Sequence, residues 1–502
     1  MRVAKLILGP LLRRVADGQA TLWVQTDEPA TVTVYAGPVT AAAETFEVEG
    51  FHFGHLVLDG LPRTTTPYQV RLDGLEVWPL PGNPPSVVTG VVGERSSLAF
   101  GSCREQKPYG VDALEAYAGR AIKGRQLPDL LALIGDQIYA DELPERTQRW
   151  LAGQDRPEHY PPDQVVTFAE YAHLYQQAWS HPQVRWLLST VPTVMMFDDH
   201  EIMDDWNSSA SWLADMQTRP WWSDRISAGL GSYWVFQHLG NLTARELAAD
   251  PVWQGLQQTG RIEIPPGYQW SYRLDLGRTR MIMLDCRANR VLDPPVRRMF
   301  PQQEWDWLAE QAQADCDHLV LACSLPWLLA PAIHHAEAVM EVASRRYGGL
   351  VEKLRRRFDL EHWSAVGHSF GELTTLVQGV QKPVSISVLG GDVHHSYVAR
   401  AELAGRDNVY QITCSPLNND VSAVMKFGLK AGWWRGFSGP GRLVARIARI
   451  PEDIIKWRVL TKPPYFGNAI ATLTFDGAQA DVVLECTDAE GNLKDVIRHQ
   501  LS

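Results

Sequence analysis

A chain of 502 residues with 45% hydrophobic and 21% charged side chains can bury a large core and is expected to hold more than one structural unit. Its formal net charge of −11 argues against nucleic acid as a partner, because neutralising phosphates takes clustered Lys and Arg. Six scattered cysteines without a CxxC spacing make no disulfide framework, and no run approaches the ~20 apolar residues of a membrane-spanning helix.

The N-terminal stretch "MRVAKLILGPLLRRVADG" has a short apolar patch but no small-residue cleavage site. No signal peptide is read there, so a cytoplasmic location is the default expectation, with export left open. Over residues 1–92, "ATLWVQT", "ATVTVYAG", "HLVLDGL" and "PYQVRLDG" alternate apolar and polar side chains between turn formers. That pattern predicts short antiparallel strands in a sandwich similar to fibronectin type III or immunoglobulin units. The Pro- and Gly-rich "PLPGNPPSVVTG" at 79–90 marks its boundary.

From about residue 93 to 502 the pattern becomes α/β. "SLAFGSC", "LLALIGD", "VPTVMMFDD", "TRMIMLDC", "HLVLACS" and "VSISVLGGD" are apolar without alternation, as expected of strands covered on both faces. "FAEYAHLYQQAW" and "PQQEWDWLAEQAQ" read as helices. Residues 416–465 read as a lid-like helical segment, and 466–486 as terminal strands. Within the former, the basic and aromatic stretch 427–450 is a candidate for contact with a membrane surface.

The chemistry gathers where strands end. "FGSCRE" carries Cys103 and Arg104, and "LIGDQIYADE" carries Asp136, Tyr139 and Asp141. "MMFDDHEIMDDW" carries Asp198, Asp199, His200, Glu201, Asp204 and Asp205, and "LGGDVHHS" carries Asp392, His394 and His395. Two like charges ~4 Å apart repel by about 4 kcal/mol at an effective dielectric near 20, so acids this crowded need cations. Metal ions answer that need with the fewest groups. Asp136 and Tyr139, three apart, can reach one ion, as can Asp392 and His394, two apart after Gly390 and Gly391. Mixed sulfur, nitrogen and oxygen donors suit a transition metal, and a carboxylate-richer neighbouring position suits a harder ion.

"GDQIYAD", "DDHE" and "GGDVHHS", in this order, are similar to the metallophosphatase signature. With "FGSC" ahead of them and "DCRANR" at 285–290 between, residues 98–416 resemble the alkaline phosphatase D (PhoD-like) family. The resemblance implies a four-layered α-β-β-α sandwich and a metal-dependent phosphoric ester hydrolase. Such an enzyme is a phosphodiesterase or phosphomonoesterase that attacks phosphorus with a metal-bound hydroxide. It further implies Fe(3+) on Cys103, Asp136, Tyr139 and His394, and Ca(2+) on Asp136, Asp199 and Asp392. Asp204 or Asp205, with Asp205 preferred, would support a further calcium; Zn, Mn or Mg are alternatives.

By the same resemblance His200, Arg104 and Arg287 are the catalytic candidates, and Arg104 and Arg290 are candidates for holding phosphate; His395 either faces the substrate or is structural. Asp198 either orients His200 or holds metal, and Glu201 supports the loop. In "EHWSAVGHSFGE", His362 and His368 are expected to pack or line the rim. Two competing readings remain at this point: a non-catalytic metal-binding or scaffold protein, and a lipid phosphodiesterase docked on a membrane through 427–450.

Overall fold

The computed structural model describes residues 3–124, 126–293, 297–313, 315–347, 353, 356, 360–420, 426, 455–461 and 464–502. The basic stretch 427–450, and with it the expected membrane contact, lies outside these residues, as does most of the expected lid.

N-terminal alternation becomes strands β1 (Leu6–Ala16), β2 (Gln19–Thr26), β3 (Thr31–Ala36), β4 (Val39–Glu44), β5 (Phe46–Val48), β6 (Phe51–Leu58), β7 (Thr66–Leu72), β8 (Leu75–Trp78) and β9 (Val87–Val88). They form two antiparallel sheets, β1-β2-β6-β5 and β4-β3-β7-β8, with β9 pairing β7. Every second residue points inward, so Leu22, Val24, Val32, Val34, Leu56, Val70 and Leu72 share one core with Trp78. Strand β1 is irregular at Gly9, whose Cβ, if present, would lie 2.7 Å from the Trp23 carbonyl oxygen. This is a bulge that only glycine fits.

The second part holds β10 (Ser96–Gly101), β11 (Leu130–Ile134), β12 (Thr193–Met196), β13 (Tyr272–Leu276), β14 (Thr279–Met283), β15 (His318–Ala322), β16 (Ser385–Gly390), β17 (Tyr397–Glu402), β18 (Val409–Thr413), β19 (Lys456–Val459), β20 (Ala469–Asp476), β21 (Gln479–Thr487) and β22 (Leu493–Gln500). One sheet has the order β12-β11-β10-β20-β21-β22, the other β13-β14-β15-β16-β18-β17-β19. The fold is mixed α/β with several sheets. The expected terminal strands, β20 and β21, gain a third in β22.

The absence of alternation in the central strands has a direct cause. Leu98, Phe100, Ala132 and Ile134 of one sheet meet Met281, Met283, Val320 and Ala322 of the other in a shared apolar core. Their sequence neighbours Ala99, Leu131 and Leu133 point the opposite way, into a core with Leu114, Tyr171 and Leu187 from helices. On the far side of the second sheet, Ile282, Leu319, Leu321 and Val388 pack with Trp305, Leu308 and Leu373, which lie on helices Gln302–Ala312 and Gly367–Gly379. Each strand is therefore wetted on neither face.

Helix Phe168–Trp179 begins at Thr167, whose hydroxyl accepts from the Glu170 amide while the Glu170 carboxylate accepts from the Thr167 amide. Parallel β10, β11 and β12 and, in the second sheet, β16 all end toward the same region, and each is followed by residues singled out above.

Candidate metal centre

The loops leaving these strands are held in conformations that side chains rarely adopt. Cys103, Asp136, Asp205, Asn207, Asp392 and His394 have φ of 55°, 40°, 60°, 58°, 59° and 49°. Left-handed backbone at non-glycine residues persists only where surrounding structure over-determines it, and such strain gathers at functional sites.

Those turns aim carboxylates at one another. Asp136, Asp198, Asp199 and Asp392 each offer an oxygen, and these atoms all lie within 4.8 Å of one another. Asp136, Asp198 and Asp199 are buried. Burial and the neighbouring acids hold Asp136 and Asp198 well above the usual carboxylate range, although His200 opposes the rise at Asp136 and Arg287 opposes it at Asp198. Asp136 Oδ1 and Asp198 Oδ2 are buried without a protein hydrogen-bond donor. A second group of Asp199, His200 and Asp204 meets the same spacing, so Asp204 rather than Asp205 joins the cluster. The Asp205 amide instead donates to Asp199 Oδ2 at 3.0 Å.

Cys103 and Tyr139 flank Asp136, while His394 adjoins Asp392. The Cys103 thiol accepts from Ser415 Oγ at 3.2 Å, and burial, then Asp136 and Asp392, push it well above the usual thiol range. The Tyr139 hydroxyl lies 3.3 Å from Asp136 Oδ2 and accepts from Asn419 Nδ2 at 3.1 Å. Burial pushes His394 down to about 4 against the pull of Asp392, leaving a neutral imidazole. The orphaned carboxylate oxygens form a donor set that fits metal ions, whereas Cys103 and His394, expected as ligands, fall in neither group that meets this spacing.

His200 packs against Tyr139 with ring centroids 4.4 Å apart and the planes tilted by 32°. Its Nδ1 lies 2.9 Å from Asp141 Oδ1 and its Nε2 3.8 Å from Asp204 Oδ1. Burial disfavours the imidazolium, yet Asp141 and Asp199 outweigh it and hold His200 well above the ordinary histidine range.

A family model described as PhoD-like phosphatase matches residues 98–421, and one described as a domain of unknown function (DUF7800) matches residues 3–89. The chain belongs to the PhoD-like phosphatase family. It is a phosphoric ester hydrolase, which removes the non-catalytic alternative. A solved structure titled "Structure of PhoD" matches at a TM-score of 0.63 and 12% identity, covering 99% of this chain and 92% of that one, which establishes the shared fold. The type III pullulan hydrolase from Thermococcus kodakarensis matches at a TM-score of 0.16, 10% identity and 78% and 61% coverage of this chain and that one. A maltogenic amylase from S. marinus matches at 0.18, 9% and 96% and 77%. Both scores are too low to carry an argument. No curated protein matches the chain.

In this PhoD-like phosphatase several expected roles need correction. Arg104 turns away from the acids: its Nε donates to Asp112 Oδ2 at 2.7 Å, and its Nη1 to the Ala178 carbonyl. It ties β10 to helix Ala113–Ile122 instead of facing substrate. Arg287 is wholly buried beneath the cluster, bonded to Asp198 and Glu361, with Nη2 3.5 Å from Asp199 Oδ1 and 3.7 Å from Asp392 Oδ1. It balances the charge of the acids, and two of its three nitrogens are taken up by Asp198 and Glu361. Arg290 donates to the Cys286 carbonyl at 2.7 Å and the Glu361 carbonyl at 3.2 Å, so it too is a structural tie. His395 is buried between Tyr397 and Phe466, with Nδ1 2.7 Å from the Val393 carbonyl, a setting that matches the structural alternative.

His362 is the main omission. Instead of lining the rim, its Nε2 lies 3.3 Å from Asp392 Oδ2 and its Nδ1 2.8 Å from Glu337 Oε1. Burial lowers its pKa, but Glu337 and Asp392 override it and raise it well above the usual range. Asp392 is correspondingly held low: burial pushes it up, and His362 and Arg287 more than reverse that. Asn419, in "SPLNND" just after β18, was also passed over; its position past an apolar strand end was the available signal. His368 pairs with Glu372 at 3.2 Å on a partly exposed helix face.

Proposed function

We infer that this hydrolase is metal-dependent and acts on phosphate mono- and diesters through a multinuclear centre. The observation that carries this is the quartet of buried carboxylates with orphaned oxygens. Cys103, Asp136, Tyr139 and His394 would hold the softer ion, for which iron fits thiolate and tyrosinate donors. Asp136, Asp198, Asp199 and Asp392 would hold a harder one, for which calcium fits an all-oxygen set. Bound cations would activate water and offset charge on the phosphoryl oxygens, the hydroxide chemistry expected of the family.

The chain's own groups do the rest. Arg287 offsets part of the acid charge from below, keeping the carboxylates close enough to share ions. Asp141 fixes the His200 ring by its Nδ1, leaving Nε2 toward the cluster as a proton donor for the leaving oxygen. Two sheets sharing a core, each with helices beyond it, support a four-layered α-β-β-α catalytic unit over 93–502 after a sandwich unit of 1–92.

The test is exhaustive chelation followed by assay on a chromogenic monoester and a chromogenic diester. Activity should vanish and return on adding back iron with calcium. Full activity after demonstrated removal of metal would overturn the reading.

A further inference from the structure

The N-terminal unit reaches into the catalytic part through one buried side chain. Arg13 on β1 is fully buried, and its guanidinium donates to the carbonyls of Gln237 and of Phe236, the latter at 3.4 Å, and to Asn241 Oδ1 at 3.0 Å. These acceptors lie on the single π-helical turn Trp234–His238 and just after it. Such turns recur at functional sites because the extra residue re-aims a side chain. Gly240 is a glycine because of this insertion: a Cβ there would meet Arg13 Nε at 2.1 Å. The guanidinium has neutral acceptors, and burial lowers its pKa to about 10, so keeping it there costs stability.

The same turn faces the metal loops. Phe236 packs against Trp23 and Phe53 of the N-terminal sheets, each with ring centroids 5.4 Å away. The next residue, Gln237, donates through Nε2 to Glu201 Oε1 at 3.0 Å and to the Tyr175 hydroxyl at 3.1 Å. Glu201 in turn accepts from the Gln137 amide at 2.7 Å and the Asp198 amide at 2.9 Å. Those amides belong to the two loops that carry Asp136 and Asp198. Asn241, also held by Arg13, brackets Met195 of β12, accepting from its amide at 2.9 Å and donating to its carbonyl at 2.7 Å.

We propose that Arg13 and Gln237 are positioning residues for the metal centre, so that the N-terminal unit sets the register of the Asp136 and Asp198 loops through Glu201. This rests on the metal-dependent reading above. It assigns the N-terminal unit a role in catalysis, beyond that of an appended module.

The experiment compares Arg13→Met, Arg13→Lys, Gln237→Leu and the double variant Arg13→Met/Gln237→Leu with Arg185→Met. Arg185 also bridges the units, donating to the Gly9 carbonyl at 2.7 Å, but contacts neither metal loop. Readouts are metal retained during dialysis against chelator, kcat, KM and the unfolding midpoint, all on full-length protein.

Arg13→Met and Gln237→Leu should each lose metal faster and lower kcat by about 10–100-fold with KM little changed. Arg13→Lys should recover part of both, and the double variant should be no worse than the poorer single one, because both act on one path. Arg185→Met should lower the midpoint alone. If Arg13→Met and Gln237→Leu lower only the midpoint, as Arg185→Met does, the proposal is overturned. Should Arg13→Met fail to fold, Gln237→Leu decides alone. A wild-type enzyme that works without metal sinks the underlying reading instead, so the two failures are distinguishable.

Discussion

Charges around His200 hold its pKa up, which suits the proton-donor role proposed above, and its neighbour Asp141 is the group to alter. A proton donor must be protonated, so activity falls as pH rises through its pKa. Asp141→Asn removes the leading charge that holds this pKa up, and the alkaline limb of kcat/KM should move to lower pH. His200→Ala should lose about 10²-fold in kcat on an ester with a poorly acidic alcohol. An unmoved limb in Asp141→Asn would remove His200 from the donor role. Side-chain identity showed where acids and imidazoles gather, because each follows an apolar strand. It did not show what each guanidinium would find. Arg104, Arg287 and Arg290 look alike in sequence, and only the fold reveals Asp112, Glu361 and the carbonyls that occupy them. His362 was hard to find for the converse reason: its partners Glu337 and Asp392 are remote in sequence, and no strand end announces it.

The loop after β16 shows how an element sets a ligand's position. Gly390 and Gly391 read as a site of close backbone approach, and the structure gives the neighbours: a Cβ on Gly391 would lie 2.1 Å from Ser102 Oγ, and one on Gly390 2.7 Å from Pro326 Cα. Gly391→Ala should therefore cost about 1–3 kcal/mol in thermal unfolding. Adding Ser102→Gly should recover part of that loss, since the clash is with that side chain. A double variant no more stable than Gly391→Ala would contradict this account. The central strands were legible from their unbroken apolar runs, and the helices at Phe168–Trp179 and Gln302–Ala312 from their periodicity. The π-helical turn at Trp234–His238 was not, and the Arg13 that binds its carbonyls arrives from more than two hundred residues away.

Across the whole molecule, stability should respond to alkali through Glu304. Burial and the nearby Asp285 push this carboxyl up to about 8 from 4.5, and Ser271 Oγ donates to it. The native state keeps a proton that the unfolded chain releases, so the contribution is complete below about 4.5 and lost as pH rises to about 8. Within that window the slope is about 1.4 kcal/mol per pH unit. Unfolding midpoints of Glu304→Gln should be flatter than wild type between those limits, and parallel curves would refute the assignment. The division into an alternating N-terminal part and an unalternated α/β part was plain in the pattern of side chains. That the two parts are pinned together beside the acids was not, since Arg13 reads as an ordinary strand residue. The proposed activity depends on the carboxylate cluster holding cations. Its most direct test is elemental analysis by mass spectrometry of purified wild type and Asp136→Asn, with ester hydrolysis measured on the same samples. Wild type should carry more than one metal ion per chain and Asp136→Asn should lose both metal and activity; an Asp136→Asn protein that stays folded, metal-free and fully active would contradict it.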